Sequence, residues 1–296
     1  MNILPFEKQV AVIGMLCEGL SIRSVNRLTG VHRDTIGQLL LKVGAGCAVL
    51  QDKMFVGVAV DQLQIDELWA FVGKKQRKLK LTDPPERGDA YTFLALDAVG
   101  KAIITHRTGK RDGDNARAFL TDLRSRVVGS PILSSDAFPA YEYLVAEVFG
   151  TQVHYGQILK RYVGEPHKDA ARRYSPGVVV KVDRTAIIGQ PPFETIGTSH
   201  VERVNLSVRM SQRRFTRLTN AYSKKIEFHR AAVSLFVAHY NFARVHETLR
   251  VTPAMETGIV DRVWEVSTLI EAGDIAQNQP IGRRVGRFRV IDGGGE

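Results

Sequence analysis

Cysteine is nearly absent. Cys17 and Cys47 are the only two in 296 residues, and each stands alone. That excludes a disulfide framework and a cysteine-rich zinc site, and it fits a reducing, cytosolic setting. Long apolar runs are missing as well: no stretch of about 18 apolar residues occurs, and MNILPFEKQVAVIGML carries no basic segment ahead of an apolar one. The expectation is a chain neither exported nor membrane-spanning. Acids are the minority charge, 31 against 41 Lys and Arg, for a net charge of +10. Such a balance points to a polyanionic partner, nucleic acid or an acidic membrane surface. Residues 201–250 hold ten Lys or Arg and three Asp or Glu, so the excess is concentrated in one basic face rather than a tail.

What is present divides into three parts, 1–50, 51–250 and 251–296. From Phe6 to about Gly44, Val10, Ile13 and Leu16 recur at helical spacing, Ser21 is placed to cap a second helix, and a third follows TGVHRDT. This reads as a helix-turn-helix whose last helix turns His32, Arg33, Thr35 and Gln38 toward a DNA groove, or as a small packing bundle. A linker or lead-in helix follows over 45–60. QLQIDELWAFVG, AYTFLALDAVG and KAIITHRTG form a three-stranded meander, with Asp97 and Gly100 at a turn. A helix (DNARAFLTDLRSRV), a strand (SPILSSDAF), a helix (PAYEYLVAEVF) and a strand (TQVHYGQI) complete an α/β fold, a mixed sheet with helices on its faces. Residues 157–200, rich in Gly, Pro and charge, look inserted, and GVVVKV and RTAIIG within them are suited to pair as a hairpin. Two helices follow, SHVERVNLSVRMSQRRF and a long one over 226–249, before a polar C-terminal extension over 251–296.

In a sheet of this order the first and fourth strands are neighbours. Asp66 lies in the first and Asp136 at the end of the fourth, and Glu202 on the next helix is a third acid able to meet them. Oxygen donors of this kind suit hard divalent cations, and two carboxylates on adjacent strands can share a pair of them. Glu67 points to the other strand face and reads as structural. Asp136 also has a bland reading as a helix cap before Pro139, Asp112 and Asp114 read as caps of the next helix, and His200 as a surface histidine or a DNA contact. Asn205 and Arg209 follow Glu202 by three and seven positions, so one helical face presents an acid, an amide and a cation. Arg203, Arg213, Arg214 and Arg217 are then placed to follow a DNA backbone. The basic run 74–80, led by Lys74 and Lys75, is either a solvated hairpin tip or a clamp on DNA leading to Asp66.

QIDELWAFVGKK, SSDAFPAYEYL and HVERVNLSVR, in this order, resemble the three catalytic blocks of DDE transposases, in particular the insertion-sequence-one family, across about residues 61–250. The resemblance implies a ribonuclease-H-like fold of the integrase superfamily, with Asp66, Asp136 and Glu202 as catalytic, metal-holding acids. It implies two Mg2+ ions, with Mn2+ able to substitute. The expected partners are double-stranded DNA, both element ends and target, and a second copy of the chain in a homodimer or larger assembly. The expected place is the bacterial cytoplasm, at the nucleoid. Two departures stand out: the second and third acids are 66 positions apart, longer than the integrase pattern, and two isolated cysteines cannot supply the four ligands of the cysteine-rich zinc finger common in the family. Two other readings remain, a catalytically silent DNA-binding regulator and a nonspecific nuclease of the same fold. A magnesium-dependent nicking assay separates the first, and the absence of joining identifies the second.

Overall fold

The computed structural model describes residues 4–163, 178–216 and 219–278. At the N-terminus the helical spacing yields α1 (Phe6–Cys17), α2 (Ile22–Thr29) and α3 (Arg33–Met54). Ser21 Oγ accepts the Ser24 amide at 3.0 Å and caps α2, which Gly30 ends at φ 71°. A left-handed residue at that position favours glycine because it has no Cβ to clash. His32 Nδ1 in turn accepts the Asp34 amide at 3.3 Å at the start of α3. α3 continues past residue 50 to Met54.

The sheet follows. β1 (Val58–Ala59) pairs in parallel with the short β5 (Val127–Val128). β2 (Gln62–Val72), β3 (Gly88–Asp97) and β4 (Ile103–Gly109) form the antiparallel meander. α4 (Gly113–Arg126) begins on Asp112, whose side chain accepts the Asn115 amide at 2.9 Å. It leads through β5 to β6 (Ile132–Asp136), which pairs in parallel with β2. α5 (Pro139–Phe149) returns the chain to β7 (His154–Val163), parallel to β6, and β8 (Val178–Ile188) closes the sheet antiparallel to β7. The order β4-β3-β2-β6-β7-β8 is a ribonuclease-H-like mixed sheet. GVVVKV and RTAIIG do not pair with each other as expected: both lie along β8, and its partner is β7. Pairing along nearly the whole of β7 satisfies more backbone than a separate hairpin would.

Period-two alternation divides the core. Ile65, Phe93 and Ala95 face α4 and α5, packing with Phe119, Leu120, Tyr141 and Leu144. Leu68, Ala70, Leu94 and Leu96 face the other way, against Val201, Val204 and Val208 of α6 (Ser199–Ser211) and Val233, Phe236 and Val237 of α7 (Ile226–Ala238). The expected long helix stops early: α7 ends at Ala238 and a π-helical turn, His239–Ala243, follows. The widened turn sets Asn241, fully buried, against β4, where its Oδ1 accepts the Ile103 amide at 2.9 Å and its Nδ2 donates to the Ile103 carbonyl at 2.8 Å. An unpaired edge of the sheet is satisfied in this way, at the cost of regular helix geometry.

After α8 (Pro253–Glu256), the C-terminal region turns back as α9 (Val266–Asn278) against α3. Two glycines of α3 permit close approach: a Cβ at Gly44 would stand 2.5 Å from the Ala231 carbonyl of α7, and one at Gly46 would stand 2.9 Å from the backbone of Gly273 in α9. The rear of α3 is therefore part of the central helical layer, while its first turns bury Ile36, Leu39 and Leu40 and leave one face to solvent. No helix among the described residues is long and apolar enough to cross a membrane.

Candidate active site

The last β2–β6 ladder pair is Gln64 with Ser134, and the same register puts Asp136 level with Asp66. Beyond that pair β6 continues only with β7, so the carboxyl end of β6 opens beside β2. Open α/β sheets hold their ligands at such a crevice. Ligand oxygens of Asp66, Glu67 and Asp136 lie within 4.8 Å of one another there. Asp66 and Glu67 do leave β2 on opposite faces, yet the splayed strand end lets both reach Asp136. Glu67, read as structural from its strand face, thus lies among the acids.

Each acid is held differently. Asp66 Oδ1 accepts the Glu67 amide at 2.8 Å, and Oδ2 accepts the Asn205 side-chain amide of α6 at 2.7 Å. Burial, reinforced by the charges of Glu67, Asp136 and Glu202, pushes its carboxyl up to about 7. Glu67 is almost fully enclosed: Arg111 Nε donates to its Oε2 at 2.8 Å and the Tyr141 hydroxyl donates to its Oε1. Its pKa is raised too, by burial and by Asp136. Arg111 also reaches Asp136 Oδ2 at 3.2 Å while stacking over Phe138, 4.1 Å from the ring centroid. Asp136 Oδ1 meanwhile accepts the Phe138 amide at 3.1 Å, which keeps the turn into α5 tight.

Glu202 arrives from α6. The amides of His200 and Val201, left without helical partners at the N-terminus of α6, both donate to Gln64 Oε1, at 2.9 and 3.1 Å. Gln64 on β2 thus pins this helix end to the sheet, doing the work of an N-cap. One turn on, the Glu202 carboxylate accepts Thr198 Oγ1 at 2.6 Å and forms an ion pair with Lys160 of β7. It does not join the three clustered carboxylates. Its charge is nevertheless felt at Asp66. Asn205 is 4% exposed, and its Oδ1 is a buried acceptor without a hydrogen-bond partner.

The remaining sequence-predicted residues are spread over several surfaces. His32, Arg33, Thr35 and Gln38 are exposed together on the first turns of α3. Lys75 is exposed, but Lys74 is paired with Asp83 at 2.7 Å, a carboxylate that Arg87 shares at 2.8 Å. Arg203 and Arg213 are exposed and Arg209 is half-buried. Arg214 donates to Ser223 Oγ at 3.1 Å, and burial lowers its pKa to about 10. Arg217 lies outside the described residues. Glu67, Arg111, Tyr141, Gln64 and Lys160 were not singled out as functional by sequence. Only Glu67 carried a signal, its place beside Asp66.

The donor set fits hard divalent cations: carboxylate oxygens only, mutually repelling, with one buried amide oxygen unpaired beside them. The carboxylates near enough to one another to share such an ion are those of Asp66, Glu67 and Asp136. No family model and no curated protein matches the chain. Among solved structures it is similar to a piggyBac transposase synaptic complex with hairpin DNA, at 11% identity over 94% of this chain and 73% of that one, TM-score 0.39. It is also similar to a pre-cleavage Mos1 transpososome, at 12% identity over 79% of this chain and 78% of that one, TM-score 0.23. Both likenesses are too distant to carry function, which rests on the strand order and the carboxylates.

Proposed function

We propose that the chain is a DDE-type transposase, cutting DNA at the ends of an insertion sequence and joining the freed 3′ hydroxyls to target DNA. The observation that carries this reading is the meeting of Asp66 and Asp136 at the splayed end of adjacent strands, with Glu202 on a helix pinned over them. Asp66, Asp136 and Glu202 would hold two Mg2+ ions, or Mn2+ in their place, which would supply Lewis acidity and neutralising charge at a phosphodiester. Asn205 fixes the orientation of Asp66, and Arg111 with Tyr141 fixes Glu67, so the acids meet DNA in a set geometry. Arg203, Arg209 and Arg213, with Arg217 of the same basic segment, hold backbone phosphates, and Lys75 extends that track. The exposed start of α3, with His32, Arg33, Thr35 and Gln38, reads the element end in the major groove. Two copies of the chain hold two ends.

The test is a nicking and strand-transfer assay with Mg2+ on DNA that flanks the coding sequence. Asp66→Asn, Asp136→Asn and Glu202→Gln should each abolish both steps while leaving end binding nearly intact. Cutting without joining by the parent would favour the nuclease, and end binding without cutting would favour the regulator.

A further inference from the structure

The three acids differ in the partner that holds them. Asp66 has a neutral amide, Asp136 a guanidinium that Glu67 shares, and Glu202 the ammonium of Lys160. Lys160 stands on β7 two residues after Ile158, the strand partner of Asp136, so the two share a strand face at the site. Its Nζ lies 3.4 Å from Thr198 Oγ1 as well as against Glu202 Oε1. One carboxylate oxygen is therefore gripped by a hydroxyl and an ammonium on the β7 side, and the carboxylate stands outside the cluster of the other acids.

We infer that Lys160 is a positioning residue, which holds Glu202 away from the acidic cluster in the DNA-free protein and transfers its ammonium to a DNA phosphate when duplex arrives. The inference rests on the proposed metal-dependent reaction at this site. Lys160 is 22% exposed and Glu202 46%, so an incoming phosphate can reach the ammonium without unfolding its surroundings. The exchange replaces one anion by another beside the same cation. Only the Glu202 side chain has to turn, since Gln64 and Asn205 keep α6 in place. Metal binding and DNA binding are coupled by this swap, and an ion pair of merely structural use would not couple them.

The coupling is read by Mn2+ titration of the full chain, by calorimetry and electron paramagnetic resonance, with and without a short duplex. Without DNA, Lys160→Met should bind Mn2+ about tenfold more tightly than the parent. With DNA, the two should converge. The salt dependence of duplex binding should also fall by about one unit in Lys160→Met, for the lost phosphate contact. Equal Mn2+ affinities without DNA, or an unchanged salt slope, would overturn the inference. If thermal melting shows that the Met variant does not fold, Lys160→Gln takes its place with the same expectations. Asp66→Asn separates the two levels: if it binds Mn2+ like the parent, the metal reading itself fails. If it loses Mn2+ while both Lys160 variants match the parent, only the role of Lys160 falls.

Discussion

Asp66 and Asp136 are placed by the sheet, whereas Glu202 is placed by side chains. The first two sit at fixed register on neighbouring strands, beside a third acid, Glu67, that is itself locked by Arg111 and Tyr141. Glu202 sits on a helix pinned through Gln64, and its carboxylate is steered by Thr198 and Lys160. Backbone ladders leave a carboxylate few alternatives. A side-chain tether leaves several rotamers, which differ by little energy. One part of the site is therefore rigid and crowded with negative charge, and the other is adjustable. The difference suits a centre that must accept cations and DNA together.

The largest effect should come from the rigid part. Asp66→Asn and Asp136→Asn should each weaken Mn2+ binding in the DNA-free protein by more than about a hundredfold, and Glu202→Gln by less, because its carboxylate stands outside the cluster. Calorimetry orders the three, and equal losses would erase the distinction between the two parts.

Next comes pH. The Asp66 pKa in the folded chain, about 7, is above its ordinary 3.8, mainly through burial. Between those values this carboxyl holds more of its proton in the folded chain than in the unfolded one, so the contribution of Asp66 to stability is full below about pH 4 and is lost as pH rises toward 7. Melting in EDTA at steps across this range should show that decline for the parent and a flatter profile for Asp66→Asn. Parallel profiles would mean that Asp66 carries no such strain.

A smaller effect tests the tether. Gln64→Ala leaves the His200 and Val201 amides unsatisfied at the start of α6 and should cost about 1–2 kcal/mol in chemical denaturation. It should also lower the rate of nicking while leaving duplex affinity close to the parent's. Normal turnover in a destabilised variant would show that the pin serves only the fold. Arg33→Ala, on the exposed start of α3, should leave stability within about 0.5 kcal/mol of the parent. On the cognate DNA end it should cost about 1–3 kcal/mol if the guanidinium meets a guanine, and far less on random DNA. Equal losses on both DNAs would assign Arg33 to phosphate.

The central sheet was legible because its strands alternate and its turns carry Gly and Asp, and Asp66 and Asp136 were legible because strand order makes their strands adjacent. What escaped depended on contacts distant in sequence. Gln64 caps a helix 136 residues away, and Lys160 belongs to a stretch that read as an insertion. The partner of β8 was missed because two strand-like pieces close in sequence suggest a hairpin, whereas the longer β7 offered a full ladder. Glu67 was set aside by a rule about strand faces that holds for β2 itself but says nothing of how Asp136, at the end of β6, reaches both faces. α7 was drawn too long because apolar spacing continues into His239–Ala243, and nothing local signals that Asn241 is needed at the edge of β4.

Metal-rescue cleavage tests the central claim most directly. Asp66→Cys and Asp136→Cys exchange a hard oxygen ligand for a soft sulfur, which Mg2+ accepts poorly and the softer Mn2+ accepts better. On DNA carrying the flanking sequence, both variants should be inert with Mg2+ and regain nicking with Mn2+, while Asp66→Asn stays inert with either ion. Equal nicking by the cysteine variants with both ions, or any parent-like nicking by Asp66→Asn, would contradict a cation held by these carboxylates.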